Sequence, residues 1–166
     1  MIASRFLRAR RRVGSIVVLS VGSSVILFPA CYRSPARSRP LPSAIQATTT
    51  RSVREASSAA LAAFNDDGIG IEQFRPDTGL VESTWFDISN LETTALDYPR
   101  DEREVRFRFL AVADTMGGPV RLYLEVTQHA VDAFGSRRRE REAPRDHPAM
   151  DVARRLMERV TGRLGR

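Results

Sequence analysis

The chain has no lysine, a single cysteine, Cys31, and only two histidines, His129 and His147. One cysteine cannot close an intrachain disulfide or build a thiolate metal site. Neither histidine has a second at metal-ligand spacing, and no serine stands in a nucleophile-elbow pattern, so no metal site or cofactor is expected and a catalytic role is disfavoured. The missing lysine reflects GC-rich codon usage and carries no functional meaning. Charge is also scarcer than it looks. The formal balance is +6, but five of the 26 arginines precede Cys31 and no acid does, which leaves 21 arginines against 20 acids in the rest. A nucleic-acid surface needs a clustered positive excess, and the chain offers none over most of its length.

What is present begins with the head. Arg5, Arg8, Arg10, Arg11 and Arg12 form a basic start, and Val13 to Ala30 then run without a charge. Such a stretch has the length of an export-signal core with its cleavage region, near the short limit of about 17 residues for a membrane-spanning helix. Phe28-Pro29-Ala30-Cys31 ends it. This head resembles a bacterial lipoprotein signal, with Ala30 at the position before the cysteine; Pro29 and Phe28 depart from the usual residues. The resemblance implies that residues 1–30 are a signal peptide and that Cys31 carries lipid and becomes the first residue of the mature chain. It also implies a palmitate-type anchor in the cell envelope. Tyr32, in place of Asp, leans in such proteins toward the outer membrane, facing the periplasm. An uncleaved membrane-spanning anchor is the alternative reading of the same run.

Residues 31–49 read as the lipidated cysteine and a flexible spacer rich in Pro, Arg and Ser, extended by Pro35, Pro40 and Pro42. Residues 50–166 suffice for one domain. Ser52 and Glu55 have capping-box spacing, and Val53, Ala56, Ala60, Leu61 and Phe64 recur at helical intervals. From Ile69 the period is two. Ile69–Phe74 and Leu80–Ile88 are expected strands around the Pro76-Asp77-Thr78-Gly79 turn, with Phe74 and Phe86 placed on the outer face. Ser89–Arg103 is a long connection whose acidic cluster, Asp101, Glu102 and Glu104, reads as a solvated loop. Glu104–Ala113 and Val120–Gln128 are two more expected strands, the second with Tyr123 outward. Arg137, Arg138, Arg139 and Arg141 belong to a charge run expected as a solvated loop, or as a contact for anionic lipid headgroups. A last helix follows Asp146 and His147, with Ala149, Ala153, Leu156, Met157, Val160 and Leu164 as its buried stripe.

The expected fold is α+β, a two-layer sandwich ordered helix–four antiparallel strands–helix. That order, with Gly68-Ile69 and the Asp77-Thr78-Gly79 turn, is similar to the helix-grip domains of BamC-type outer-membrane assembly lipoproteins and to small bacterial lipoprotein families. The resemblance implies a non-catalytic interaction or assembly module, anchored to the membrane and possessing a protein partner in the envelope. Phe74, Phe86 and Tyr123 are the candidate partner surface. The alternative is a carrier of a small hydrophobic ligand between helix and sheet, where Ala56, Ala59, Ala60 and Ala63 either leave space or simply allow close packing.

Overall fold

The computed structural model describes residues 39–94, 103–131 and 138–165. The expected signal segment, Cys31 and the first part of the expected spacer lie outside the described residues, as do Asp101, Glu102 and Arg137.

The expected four-stranded sandwich is not the fold. Among the described residues the chain forms one eight-stranded antiparallel sheet with two helices, so the sheet dominates. The strands are β1 (Ile45–Thr49), β2 (Ile71–Arg75), β3 (Leu80–Ser83), β4 (Phe86–Asp87), β5 (Glu92–Thr93), β6 (Glu104–Val112), β7 (Val120–Val131) and β8 (Arg138–Glu142). The helices are α1 (Val53–Asp66) and α2 (Ala149–Leu164). The main order across the sheet is β1-β7-β6-β3-β2; β4 extends the β3 side of β6 and carries β5, while β8 lies on β7.

Two of the added strands lie where sequence periodicity is silent. β1 falls inside residues 31–49, drawn as spacer, yet it pairs with β7 from Ile45 opposite Leu124 to Thr49 opposite Val120. Its apolar side chains are only Ile45 and Ala47, too few to announce a strand. β8 comes from the charge run expected as a loop; it pairs with β7 from Arg138 opposite Val131 to Glu142 opposite Thr127. A strand made of charged residues has no hydrophobic alternation to detect.

α1 starts as its sequence dictates. Ser52 Oγ accepts from the Glu55 N–H at 3.2 Å and Glu55 Oε2 accepts from the Ser52 N–H at 2.9 Å, a reciprocal capping box. The Ser52 N–H first, and then the Ser52 hydroxyl, which donates to the same Oε2 at 2.7 Å, hold the Glu55 carboxyl below the usual carboxylate range. At the head of α2, His147 Nδ1 accepts from the Ala149 N–H at 3.2 Å.

Both helices bury their apolar stripes in one cluster with the inner face of the sheet. Ala56, Ala60, Ala63 and Phe64 of α1 meet Phe107, Phe109, Leu122, Leu124 and Val126, and Ala149, Ala153, Leu156, Met157 and Val160 of α2 join them. Phe64 and Phe107 meet edge to face at 6.3 Å, a preferred aromatic geometry. Gly79 bridges the turn to this body with φ +75°; a Cβ there would lie 2.1 Å from the Ala111 carbonyl oxygen, so only glycine fits.

Two irregularities set which side chains reach the outer face. Along β6, Phe109 faces Val81 and Val105 faces Phe86. Four steps along β6 are matched by five from Val81 to Phe86, so the β3–β4 path holds one extra residue. The parity of the strand flips there. Phe86 turns into the core and Trp85 turns out. A second register shift between Ile71 and Gln73 does the same in β2, so that Phe74 stands opposite the inward Val81. The expected outward set of Phe74 and Phe86 is reversed for that reason.

Candidate functional site

The outer face of the sheet, opposite the helices, carries a ladder of buried charge. Arg106 on β6 is at its centre and is only 4% exposed. Its Nη2 pairs with Glu72 Oε2 at 2.7 Å, and its Nη1 with Glu82 Oε1 at 3.4 Å and Glu140 Oε2 at 3.8 Å. The carboxylates come from β2, β3 and β8, so one guanidinium ties together strands from both sides of β6. The same guanidinium lies 4.7 Å from the centre of the Trp85 ring, a cation–π contact. His129 meets Trp85 edge to face, with ring centres 6.3 Å apart. Thr127, directly opposite Arg106, donates its hydroxyl to Glu140 Oε1.

A second pair stands one step along. Arg108 Nη1 lies 3.6 Å from Glu125 Oε2, and Glu125 is fully buried. Glu125 Oε1 accepts the Leu41 N–H at 2.8 Å, and Glu142 accepts the Ser43 N–H, so two outer-face carboxylates hold the segment that leads into β1. Burial raises the Glu82 carboxyl above the ordinary carboxylate range; Arg106 and Arg108 oppose that shift, and Glu140 and Glu72 add to it. Arginine suits this place because its planar fork serves several carboxylates at once and stacks on an aromatic ring. The ladder fixes strand alignment.

Beyond the ladder the outer face changes character. Leu110 and Tyr123 are cross-strand neighbours, with Leu80 opposite Leu110 on the other side. All three are half-buried, and Val112 beside them is exposed. Arg121 stands opposite Val112 and pairs with Asp114 at 3.6 Å.

The candidate partner residues are not brought together. Phe86 is 1% exposed and packs on Phe107 at 6.0 Å, so it belongs to the core and leaves any partner surface. Phe74 is 39% exposed but lies at the β2 edge of the sheet, with β3 and β6 between it and β7. Tyr123 alone stays on the outer face. The charge run is likewise divided: Arg137 is outside the described residues, Arg138 and Arg139 lie on β8, and Arg141 bonds Gln128 at 3.0 Å when the Gln128 amide is turned to satisfy its neighbours. Cys31 lies outside the described residues. Glu104, taken as part of a solvated loop, is buried on β6 opposite Asp87. Sequence reading missed Trp85, Arg106, Arg108 and Glu125 as a set; alternating Arg106 and Arg108 against Glu125 on neighbouring strands was the available signal.

Among the described residues, no group of three or more His, Cys, Asp or Glu side chains is placed to hold a metal ion, and no helix is long and apolar enough to cross a membrane. No protein-family model matches the chain, and no curated protein matches it.

Proposed function

We propose that the protein is a lipid-anchored module of the bacterial cell envelope, held through Cys31 and acting by non-catalytic interaction with a protein partner. The observation that carries this reading is the head of the chain: five arginines, then an uncharged run from Val13 to Ala30, then the lone Cys31. Each acyl methylene buried in a bilayer contributes about 0.8 kcal/mol, and stable anchoring takes more than one chain, which a lipidated cysteine supplies. Tyr32 after the cysteine favours the outer membrane, with the domain facing the periplasm.

The interaction half of the reading is supported by the outer face, where Leu80, Leu110, Val112 and Tyr123 make a mixed apolar and aromatic surface beside arginines. Ala56, Ala60 and Ala63, on which the ligand-carrier alternative rests, lie fully buried in the apolar cluster, where small side chains let α1 approach the sheet.

Metabolic labelling with a fatty acid tests the anchor. Wild type is expected to take label and to fractionate with membranes, while Cys31→Ser takes none and is released. Unlabelled wild type, soluble and with Met1 still in place, overturns the reading.

A further inference from the structure

Two strands lie end to end along the far edge of β7, and they differ in one respect. Residues 138–143 run beside Val131 to Val126, closing with the Ala143 N–H on the Val126 carbonyl at 2.9 Å. Residues 45–49 continue beside Leu124 to Val120. β8 is Arg-Arg-Glu-Arg-Glu, charged at every position, which is how natural sheets protect an edge from added strands. β1 is Ile-Gln-Ala-Thr-Thr, and no charge falls between Arg39 and Arg51. Among the described residues β1 has no neighbour on its other side, so its outward amides and carbonyls are a template for one more strand.

Beside that edge runs an open groove of about 350 Å³, lined by Ser43, Ala44, Ile45, Met150, Arg145 and Arg154. It lies between the start of β1 and the first turns of α2. A strand added to β1 would send alternate side chains toward α2 and into this groove. Its floor is apolar at Ala44 and Met150, and its rim is cationic at Arg145 and Arg154, the latter partly offset by Asp151. A strand edge flanked by a helix and a basic rim suits an extended acidic peptide.

We propose that the β1 edge and the β1–α2 groove form a strand-addition site for an extended, acidic segment of a partner protein. This deepens the interaction-module reading and rests on it. A second copy of this chain fits the site poorly. Two β1 strands paired about Ala47 would set Ser43 of each copy opposite Arg51 of the other, bringing Arg51 up to a groove that already holds Arg145 and Arg154.

The test uses the full chain in detergent micelles and a displayed library of random peptides about twelve residues long, enough to span β1 and the groove. Enriched peptides are expected to carry acidic residues among alternating β-formers. On binding, the outward amides of Gln46 to Thr49 should slow in hydrogen exchange by about tenfold or more, as new ladder hydrogen bonds form. The double variant Arg145→Glu, Arg154→Glu should weaken the same peptides by about tenfold or more while its melting temperature stays near wild type. Enriched peptides that leave β1 exchange unchanged, or that bind the double variant equally well, overturn the proposal, as does a library yielding none. A stable dimer that is broken by Thr48→Lys would assign the edge to a second copy and overturn it too. Fatty-acid labelling of Cys31 is read separately, so a failed strand-addition site leaves the anchor standing, and an unlabelled Cys31 leaves the peptide result standing.

Discussion

The two faces of the sheet are buried by opposite means. The inner face is closed by hydrocarbon: Phe107, Phe109, Leu122, Leu124 and Val126 under two helices. The outer face, over the same strands, is closed by ions: Arg106 among three carboxylates and Arg108 against Glu125. Apolar packing gains free energy with area and tolerates exchange of one hydrocarbon for another of like volume. An ionic layer gains little net free energy, because desolvation cancels most of the attraction, and it cannot lose one member without stranding the rest. The inner face therefore supplies stability, and the outer face supplies alignment of strands.

Adjacent residues on β6 give the sharpest comparison. Phe107→Ala should cost about 3–5 kcal/mol through lost packing and the cavity left behind. Arg106→Ala should cost a similar 3–5 kcal/mol for a different reason, since it leaves Glu72, Glu82 and Glu140 beside one another without their cation. Denaturant unfolding measures both. An Arg106→Ala loss under about 1 kcal/mol would show that the ladder behaves like a surface ion pair. The next comparison is a cycle. Arg108→Leu and Glu125→Leu should each destabilise by about 3 kcal/mol or more, while the double replacement should recover most of that loss, because two apolar chains replace two buried ions. Additive losses in the double variant would show that the two side chains are not coupled and that each acts through other contacts.

How far sequence reaches follows the same division. Elements with an apolar stripe were legible: α1 with its Ser52–Glu55 box, α2, and the long strands of β6 and β7. β1 and β8 were not, because one is mostly small and polar and the other is all charge. β1 becomes a strand through β7, far along the chain, and β8 through that same β7, its neighbour in sequence. The failure over Phe86 has another cause. One extra residue in the β3–β4 path shifts the alternation by a single step, and only the pairing of Phe86 with Val105 reveals it. The ladder itself was half visible: arginines alternating with Phe107 and Phe109 were plain, but which carboxylates would meet them depended on that same register.

Two smaller effects complete the set. Ser52→Ala should cost about 1 kcal/mol by removing the α1 cap. Because the Glu55 carboxyl is held low, the capping contribution is present above the ordinary carboxylate range and fades as pH falls through the lowered value. Glu82 has the opposite sign. Its carboxyl is raised, so its contribution is full below the ordinary carboxylate range and is lost as pH rises through the raised value. Glu82→Gln should accordingly change stability little below the ordinary carboxylate range, where the carboxyl it mimics is neutral, and should gain on wild type as pH rises through the raised value, flattening the stability profile there. A profile with the same slope in that window for both proteins would assign the pH response to other groups.

The pairing of β1 with β7 also governs when the domain can exist. Ile45 must wait for Leu124, and Thr49 for Val120, before either end of that ladder closes. Until most of the polypeptide has emerged from the ribosome, its first strand has nowhere to dock. Such distant closure makes for slow folding. Under the export proposed above, that delay is a gain, since each moment without the sheet keeps the chain in a form a translocation pore can pass.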